Sequence, residues 1–343
     1  MSDVPMYNAG TARRRRASRL HPVRLAILTI AALLLSALAG AAAYFFPVLT
    51  AGVGQTGQHV TVPNLPGLKA TPTPAAAPGA PFTVLLLGSD DDSKFSADHV
   101  LTQSMILVRV NPASKQVTML SIPRDLWVPL SLGYSGKIDG AYAGDRNHPG
   151  GPAQAIATVQ RNFGVHIDDY AWIGLKGLIR LIDQLGGVDV YVSNPVLDDF
   201  YPNDIDVTYL YGYTRVAVLP GAQHLDGTHA LQWVRSRHDD INGDFGRSQR
   251  QQQVLLAIRA KAATLNAANL PDIVNAMQNE FKTSMSLQRI RSLLGVASGF
   301  DPANIKQIVL LPPTYTYYGF VGAQSVVFPN WTVIRPLVKA NFP

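Results

Sequence analysis

The side chains best suited to chemistry in this sequence are arginines that stand beside aspartates where predicted elements end. The segment SIPRD (121–125) leaves a buried strand at a proline, so Arg124 and Asp125 follow that strand where charges can face a cleft. Arg235 and Arg237 are two residues apart, and in an extended segment they share one face. Since a guanidinium binds two phosphate oxygens at once, these arginines predict a phosphate or diphosphate site.

A third group of such side chains opens a long predicted helix. GDFGR (243–247) is followed by Arg250 and Gln251, and the helix is predicted over 244–263. Arg247 and Gln251 are four residues apart, so they lie one above the other on the helix surface. Both fall in its first turns, where unpaired backbone N–H groups and the helix dipole favour an anion.

Internal ion pairing is the alternative interpretation of these arginines. Arg124 has Asp125 as a neighbour, and Arg237 has Asp239 and Asp240 within reach. Four converging guanidinium groups would be costly to bury unless acids pair them, whereas a bound diphosphate would satisfy them. The sequence leaves both interpretations open.

Familiar catalytic and metal-binding signatures are absent from the sequence. There is no cysteine, which excludes disulfides, thiolate metal sites and a cysteine nucleophile. There is also no G-x-S-x-G elbow, no Walker A loop and no H-E-x-x-H motif. His224 and His229 are five residues apart, which is poor spacing for one helix face, so no metal pair is predicted there.

The net charge of +6 is concentrated at the N-terminus. Residues 1–24 carry six arginines and one acid, and the rest of the chain has 23 basic and 22 acidic side chains. The excess is therefore a local basic tail rather than a basic folded face. It predicts no nucleic-acid partner, and no helix-turn-helix pattern is visible.

An apolar segment follows the basic tail directly. Residues 25–46 contain no charged side chain, and 22 helical residues span about 33 Å, enough for a bilayer core. A cleaved signal peptide is the alternative, with A-x-A sites at 37–39 and 41–43, but the run is longer than the roughly 7–15 apolar residues usual within a signal peptide. We therefore predict an uncleaved single-pass anchor in the cell membrane, with residues 1–24 in the cytoplasm and the rest outside.

Beyond the anchor, the composition separates a linker from one folded domain. Residues 47–81 hold seven prolines among Ala, Gly and Thr, which predicts an extended spacer. The remaining 82–343 predicts one α/β domain with a mixed sheet. Its predicted strands are 83–88, 105–110, 117–122 (a hairpin with the strand before it), 188–192 and 214–219, the last without an assigned partner. Its predicted helices are 151–163, 177–187, 228–234 with Asp226 as cap, and 244–263, followed by two or three helices and one strand over 264–343.

Several segments of 82–343 match a known family in order and spacing. Residues 82–343 resemble the LytR–CpsA–Psr family of cell-envelope proteins, and the anchor and linker fit the same layout. The matching segments are LLLGSD (85–90), VNPASKQVTMLSIPRD (110–125), KIDGAY (137–142), LIDQLGGVDV (181–190), LDGTHALQWVRSRHDDINGDFGRSQRQQQVL (225–255) and KTSMSL (282–287).

The resemblance implies a fold and an activity. Members have a mixed β-sheet flanked by helices, with an apolar tunnel that holds a polyprenyl chain. They are phosphotransferases that move a glycopolymer from a polyprenyl-diphosphate carrier to peptidoglycan, forming a phosphodiester. Teichoic acids, capsules and arabinogalactan are the kinds of cargo the resemblance implies.

Site residues follow from the same motifs. The resemblance implies that Arg124, Arg235, Arg237 and Arg247 hold the diphosphate, with help from Lys137 and Gln251. It implies that Asp90 binds a divalent cation, Mg²⁺, and makes Asp90, Arg124, Arg235 and Arg237 the catalytic candidates. Asp125 and Asp244 would support the neighbouring arginines.

One segment departs from the family pattern. Where members carry Arg-Ser/Thr-Asp-Thr before the second strand, this chain has LTQS (101–104), so Leu101 and Gln103 replace an arginine and the second metal-binding aspartate. A hard cation prefers carboxylate oxygens, which makes Gln103 a poor ligand, although Asp91, Asp92 or Asp98 could substitute. The alternative function is therefore a non-catalytic member that binds polyprenyl-phosphate lipids. Transcriptional regulation, an older label of the family, is disfavoured by the charge distribution.

Overall fold

The structure is a computed structural model that describes residues 80–89, 100–145, 150–202, 212–236, 243–262, 280–285 and 304–343. The predicted tail 1–24, the predicted span 25–46 and nearly all of the linker lie outside these residues. Within the described ranges, no helix combines the length and apolar character needed to cross a bilayer.

The described residues form alternating strands and helices. The strands are β1 (Phe82–Ser89), β2 (Thr102–Asn111), β3 (Gln116–Ile122), β4 (Trp127–Pro129), β5 (Ser135–Lys137), β6 (Asp169–Gly174), β7 (Val188–Val192), β8 (Val196–Pro202), β9 (Tyr213–Val218), β10 (Gly221–Leu225), β11 (Phe281–Thr283), β12 (Ile305–Val309), β13 (Thr316–Val321) and β14 (Gln324–Pro329). The helices are α1 (Gly140–Ala143), α2 (Pro152–Phe163), α3 (Leu175–Gln184), α4 (Gly227–Arg235), α5 (Gly243–Ala262) and α6 (Trp331–Asn341).

A six-stranded mixed sheet forms the centre, in the order β11-β6-β1-β2-β3-β12. β2 pairs antiparallel with both β1 and β3, whereas β6 runs parallel to β1 and β12 parallel to β3. The predicted mixed sheet and the β2–β3 hairpin are confirmed. The predicted strand without a partner is β9, which pairs antiparallel with β8.

Apolar side chains alternate along the central strands and build a core on each face of the sheet. Leu85 and Leu87 of β1 pack in one cluster with residues of α2 and α6. Val84 and Leu86 belong to the opposite cluster, which includes Leu255 of α5. Because both faces are covered, the central strands are apolar in nearly continuous runs.

A further core lies beside the second face. It joins α3, α4 and the two-stranded sheets β7–β10 and β8–β9, with Trp233 fully buried among them. α5 contributes Val254 and Ile258 to this core and Leu255 to the cluster on the sheet. The long helix α5 therefore connects the sheet to the second core, and one side of α5 borders the space between the sheet and that core.

Two sequence predictions about local structure are wrong. Arg235 is not in an extended segment: it is the last residue of α4, and Ser236, the residue after the helix, has φ −55° and ψ 138°. Ala230, Leu231 and Val234 are buried at helical spacing, and this amphipathic pattern carries the helix through residue 235. The C-terminal region also has more than one strand. β11 to β14 all lie within 280–329, where β-branched and aromatic residues favour strands.

Candidate diphosphate-lipid site

The ends of three neighbouring strands lie together at one edge of the central sheet. β1 ends there, β2 begins there and β3 ends there, as the pairs Ser89–Thr102 and Met105–Ile122 establish. Gln103 near the start of β2 and Arg124 just after β3 therefore become neighbours although 21 residues separate them. The departure of β3 at Pro123 puts the charged segment at this edge, as the sequence predicted.

Arg124 is the centre of a chain of polar contacts at this edge. Its Nη1 donates a hydrogen bond of 2.5 Å to Oε1 of Gln103, and its Nε lies 3.5 Å from Oδ2 of Asp125. The other oxygen of Asp125 accepts a bond of 2.6 Å from Nζ of Lys137. Arg124 thus has the internal ion pair that the sequence left open. The same contacts bring four predicted site residues together and leave Lys137 the most exposed of the three charged ones.

Backbone hydrogen bonds fix the segment that carries Arg124 and Asp125. The N–H of Asp139 donates to the carbonyl of Arg124 at 3.1 Å, and Ile138 donates to Leu126 at 2.9 Å. On the other side, the N–H of Val327 donates to the carbonyl of Asp125 at 3.0 Å. Both flanks of the segment are therefore held by the backbone, independently of any bound anion.

Asp139 adds a buried carboxyl to this region. It is 5% exposed, and burial raises its pKa to about 6, against the opposing effect of the Arg124 charge. Asp125 raises the same pKa further, and Lys137 lowers it. Asp139 belongs to the KIDGAY segment, yet no local pattern singles it out, because its burial depends on the fold.

α4 presents Arg235 because both ends of that helix are fixed. At its N-terminus, Oδ1 of Asp226 accepts a hydrogen bond of 2.8 Å from the N–H of His229, which confirms the predicted cap. A Cβ at Gly227 would lie 2.2 Å from the carbonyl oxygen of Ile179, so only glycine permits the close approach of α3 and α4. The start of α4 is thereby tied to α3.

The C-terminal end of α4 is held by Arg250 of α5. Its Nε donates to the carbonyl of Trp233 at 2.7 Å and its Nη2 to that of Ser236 at 2.5 Å. Carbonyl groups at a helix C-terminus have no partner within the helix and carry negative partial charge, so a guanidinium satisfies them well. Burial lowers the pKa of Arg250 to about 10, which still leaves it charged near neutral pH.

Arg235 itself lies against Tyr201 of β8. Its Nη1 donates to the hydroxyl of Tyr201 at 3.4 Å, and its guanidinium carbon lies 5.7 Å from the centre of that ring. This contact stabilises a cation without cancelling its charge, because the partner is a ring and a hydroxyl. Tyr201 is a contact residue that the sequence did not reveal.

An apolar pocket opens between the second sheet face and helices α3, α4 and α5. It has a cavity volume of about 190 Å³ and is partly open to solvent. Leu86, Ile106 and Met119 line it from the sheet, and Leu178 and Leu255 line it from the helices. Its lining is mainly aliphatic, which suits a hydrocarbon chain.

Polar side chains also line this pocket. They are Gln103, Arg235 and Gln251, and Gln103 among them lies at the sheet edge described above. The hydrogen bond between Gln103 and Arg124 connects the pocket lining to the Asp125–Lys137 pair. Arg259, two turns after Gln251, lines the pocket as well and was not predicted. A charged head group and an apolar chain could therefore occupy adjoining parts of one cavity.

The remaining predicted residues fall into two groups. Arg247 is buried on α5, one turn before Gln251, as predicted, and the backbone of Asp244 lies in the first turn of the same helix. Asp90 and Arg237 lie outside the described residues, so their roles stay predictions.

The second position of the implied metal site does not fit a cation. Oε1 of Gln103 already accepts the hydrogen bond from Arg124, whose positive charge would oppose a metal at that oxygen. Across the described part of the chain, no three or more His, Asp or Glu side chains group as metal ligands would.

Comparison with known proteins gives concordant similarities. The LytR_cpsA_psr family model matches residues 57–327. Biofilm regulatory protein A of Streptococcus mutans is 32% identical over 240 residues, covering 66% of this chain and 56% of that protein. A polyisoprenyl-teichoic acid–peptidoglycan teichoic acid transferase, TagU, of Enterococcus faecalis is 32% identical over 231 residues, covering 66% of this chain and 70% of that protein.

Solved structures agree with the mixed α/β fold. The crystal structure of TagV from B. subtilis matches with a TM-score of 0.60 and 26% identity, over 77% of this chain and 96% of that one. A structure of TagT bound to LIIa-WTA also matches with a TM-score of 0.60 and 26% identity, over 77% of this chain and 91% of that one.

Proposed function

Because the chain belongs to the LytR–CpsA–Psr family, we propose that it is a phosphotransferase that attaches a polyprenyl-diphosphate-linked glycopolymer to peptidoglycan. The single observation that carries this proposal is the apolar pocket whose polar lining includes Gln103, Arg235 and Gln251, with Gln103 hydrogen-bonded to Arg124. A polyprenyl chain fills the pocket as in a tunnel, and its diphosphate lies at the polar edge. The names of the TagU relative and of the TagT complex favour a teichoic acid as the cargo class.

The proposed reaction exchanges one bond to phosphorus for another. A hydroxyl of peptidoglycan attacks the phosphorus that carries the glycopolymer, and the bond from that phosphorus to the bridging oxygen breaks. Polyprenyl phosphate leaves with the bridging oxygen, and the hydroxyl proton is lost to solvent. The product is a phosphodiester between the glycopolymer and peptidoglycan.

The arginines would act by binding and charge stabilisation. Negative charge on the phosphoryl oxygens and on the leaving phosphate is best met by preorganised cations. Arg235 is positioned by a helix fixed at both ends, and Arg124 by a backbone held on both flanks. Lys137 supplies a third cation, with Asp125 orienting it. Arg237, Arg247 and Gln251 are proposed to complete the diphosphate site, with Asp244 orienting the arginines.

Metal binding is proposed at a different set of ligands from the family pattern. Gln103 does not fit, so a divalent cation such as Mg²⁺ would be held by Asp90 with acids of 91–98, outside the described residues. Such a cation would neutralise charge on the diphosphate.

The proposed location is the outer face of the cell membrane. The basic tail and the apolar segment 25–46 support a single crossing with a cytoplasmic N-terminus. Protease added to intact spheroplasts is expected to digest residues 82–343, and survival of that part until lysis would contradict the orientation.

A transfer assay on the full chain in detergent tests the activity. The substrates are a radiolabelled polyprenyl-diphosphate glycan and soluble peptidoglycan strands. Arg235→Ala is expected to lower transfer about tenfold or more, because a charge-assisted hydrogen bond is worth roughly 1.5–3 kcal/mol. Arg161→Ala is the matched control, since Arg161 is exposed in the last turn of α2, which packs on the other face of the sheet. Equal transfer by both variants would contradict the site.

The bond between Gln103 and Arg124 favours a second candidate, a non-catalytic lipid-binding member. In that case the pocket and the arginines bind polyprenyl phosphates, but no transfer occurs. Lipid retention without transfer, with and without Mg²⁺, would identify this function.

A further inference from the structure

The hairpin of β13 and β14 carries an exposed aromatic face. Tyr318 and Phe320 are 59% and 75% exposed. They are two residues apart in one strand, so both side chains project from the same face of the hairpin. Val327 and Ser325 oppose them on β14. Large exposed apolar side chains grouped in this way often mark a binding surface.

Two contacts place this face beside the candidate site. Val327, directly opposite Tyr318, donates its N–H to the carbonyl of Asp125 at 3.0 Å. The ring of Tyr318 lies 6.0 Å from the ring of Phe245 at an angle of 71°, in the first turn of α5. Phe245 precedes Arg247 by two residues, so the hairpin contacts two of the segments that carry diphosphate-binding residues, the one with Arg124 and the start of α5.

The amino-acid composition of the hairpin limits the kinds of ligand that it can bind. Residues 314–330 contain no Asp, Glu, Lys or Arg. Surfaces that bind anionic lipid head groups or polyanions use basic side chains, and this segment has none. Exposed rings with a tyrosine hydroxyl instead suit a ligand with apolar faces and polar edges, such as a sugar ring.

We propose that Tyr318 and Phe320 form the binding surface for the acceptor, the glycan strand of peptidoglycan. The two rings stack on its sugars and hold an acceptor hydroxyl close to Arg124. This inference rests on the proposed function, because it assigns the second substrate of that reaction. The donor occupies the pocket and the arginines, and the acceptor approaches along the hairpin.

Direct binding of peptide-free glycan strands to the full chain in detergent tests the surface without any transfer step. Phe320→Ala and Tyr318→Ala are each expected to weaken glycan affinity about fivefold, the scale of one lost aromatic contact. Tyr318→Phe keeps the ring and is expected to retain most of the affinity. Tyr191→Ala is the matched control: this tyrosine is 69% exposed on β7, away from the hairpin, and its loss should leave glycan affinity unchanged.

Binding of a polyprenyl-diphosphate analogue to the same variants separates the two proposals. Unchanged analogue affinity with weakened glycan affinity supports the acceptor surface. Unchanged glycan affinity in both alanine variants overturns it. Binding of the same variants to phosphatidylglycerol vesicles is measured as well. If the variants lose only their affinity for vesicles, the hairpin is a membrane contact and the proposal is overturned. If the wild-type chain binds glycan through these rings but no diphosphate lipid, the surface is supported and the proposed transfer fails.

Discussion

Nη1 of Arg124 and Oε1 of Gln103 lie 2.5 Å apart and join the start of β2 to the segment after β3. This hydrogen bond occupies the position where the family resemblance implies a metal-binding carboxylate. An amide can accept the bond from arginine without adding negative charge, so residue 103 places no carboxylate beside Arg124. The arrangement favours an anionic ligand over a cation at residue 103.

Gln103→Asp is expected to raise affinity for Mg²⁺ or Mn²⁺, because it restores a hard carboxylate ligand. Calorimetric titration of the full chain with each cation measures the change, and transfer activity should rise with it. Gln103→Leu is the control that removes the acceptor without adding charge. Unchanged affinity in Gln103→Asp, together with loss in Asp91 or Asp98 variants, would assign the ligand role to the acidic segment.

Arg250→Met is expected to lower the free energy of unfolding by about 2–4 kcal/mol, since it leaves two carbonyls at the end of α4 without their charged donor. Thermal and denaturant unfolding measure the loss, and Arg250→Lys should recover only part of it. Arg180→Met, at an exposed position on α3, is the control. Equal stability of the two methionine variants would contradict the role of Arg250.

Asp139 predicts a pH dependence of stability. Its folded pKa of about 6 lies above the usual value, so the folded state keeps a proton that the unfolded state loses. The resulting stabilisation is full below about pH 4 and is lost as the pH rises through about 6.

Asp139→Asn should therefore match the wild type near pH 4 and exceed its stability at pH 7.5 by up to about 3 kcal/mol. Unfolding curves over this pH range measure the difference. Asp199→Asn, at an exposed ion pair on β8, is the control. A constant difference across the range would show that Asp139 is ionised in the fold.

Leu255→Trp is expected to abolish binding of a polyprenyl-phosphate lipid, because the larger ring fills the pocket that Leu255 lines. Native mass spectrometry of the full chain, released from detergent, measures the lipid adduct. Leu255→Ala enlarges the same space and should retain the adduct. If the wild type and both variants bind the lipid equally, the polyprenyl chain lies outside this pocket.

The amino-acid sequence by itself determined the features that depend on neighbours along the chain. The short link between 105–110 and 117–122 predicted a hairpin. Asp226, directly before an amphipathic segment, was predicted to cap a helix. The start of α5 and the four-residue spacing of Arg247 and Gln251 were equally local. The family was also identified from the sequence, since many short segments match its motifs in the same order and spacing.

Only the tertiary structure decided how the charged side chains divide their roles. The sequence assigned no role to Arg250, yet it holds the end of α4, and Arg235 ends that helix against Tyr201, 34 residues away. Asp139 has its raised pKa because of burial, which no local pattern reports. Periodicity fixes which residues share a face of one element. Hydrogen bonds and burial depend instead on elements that approach each other only after the chain has folded.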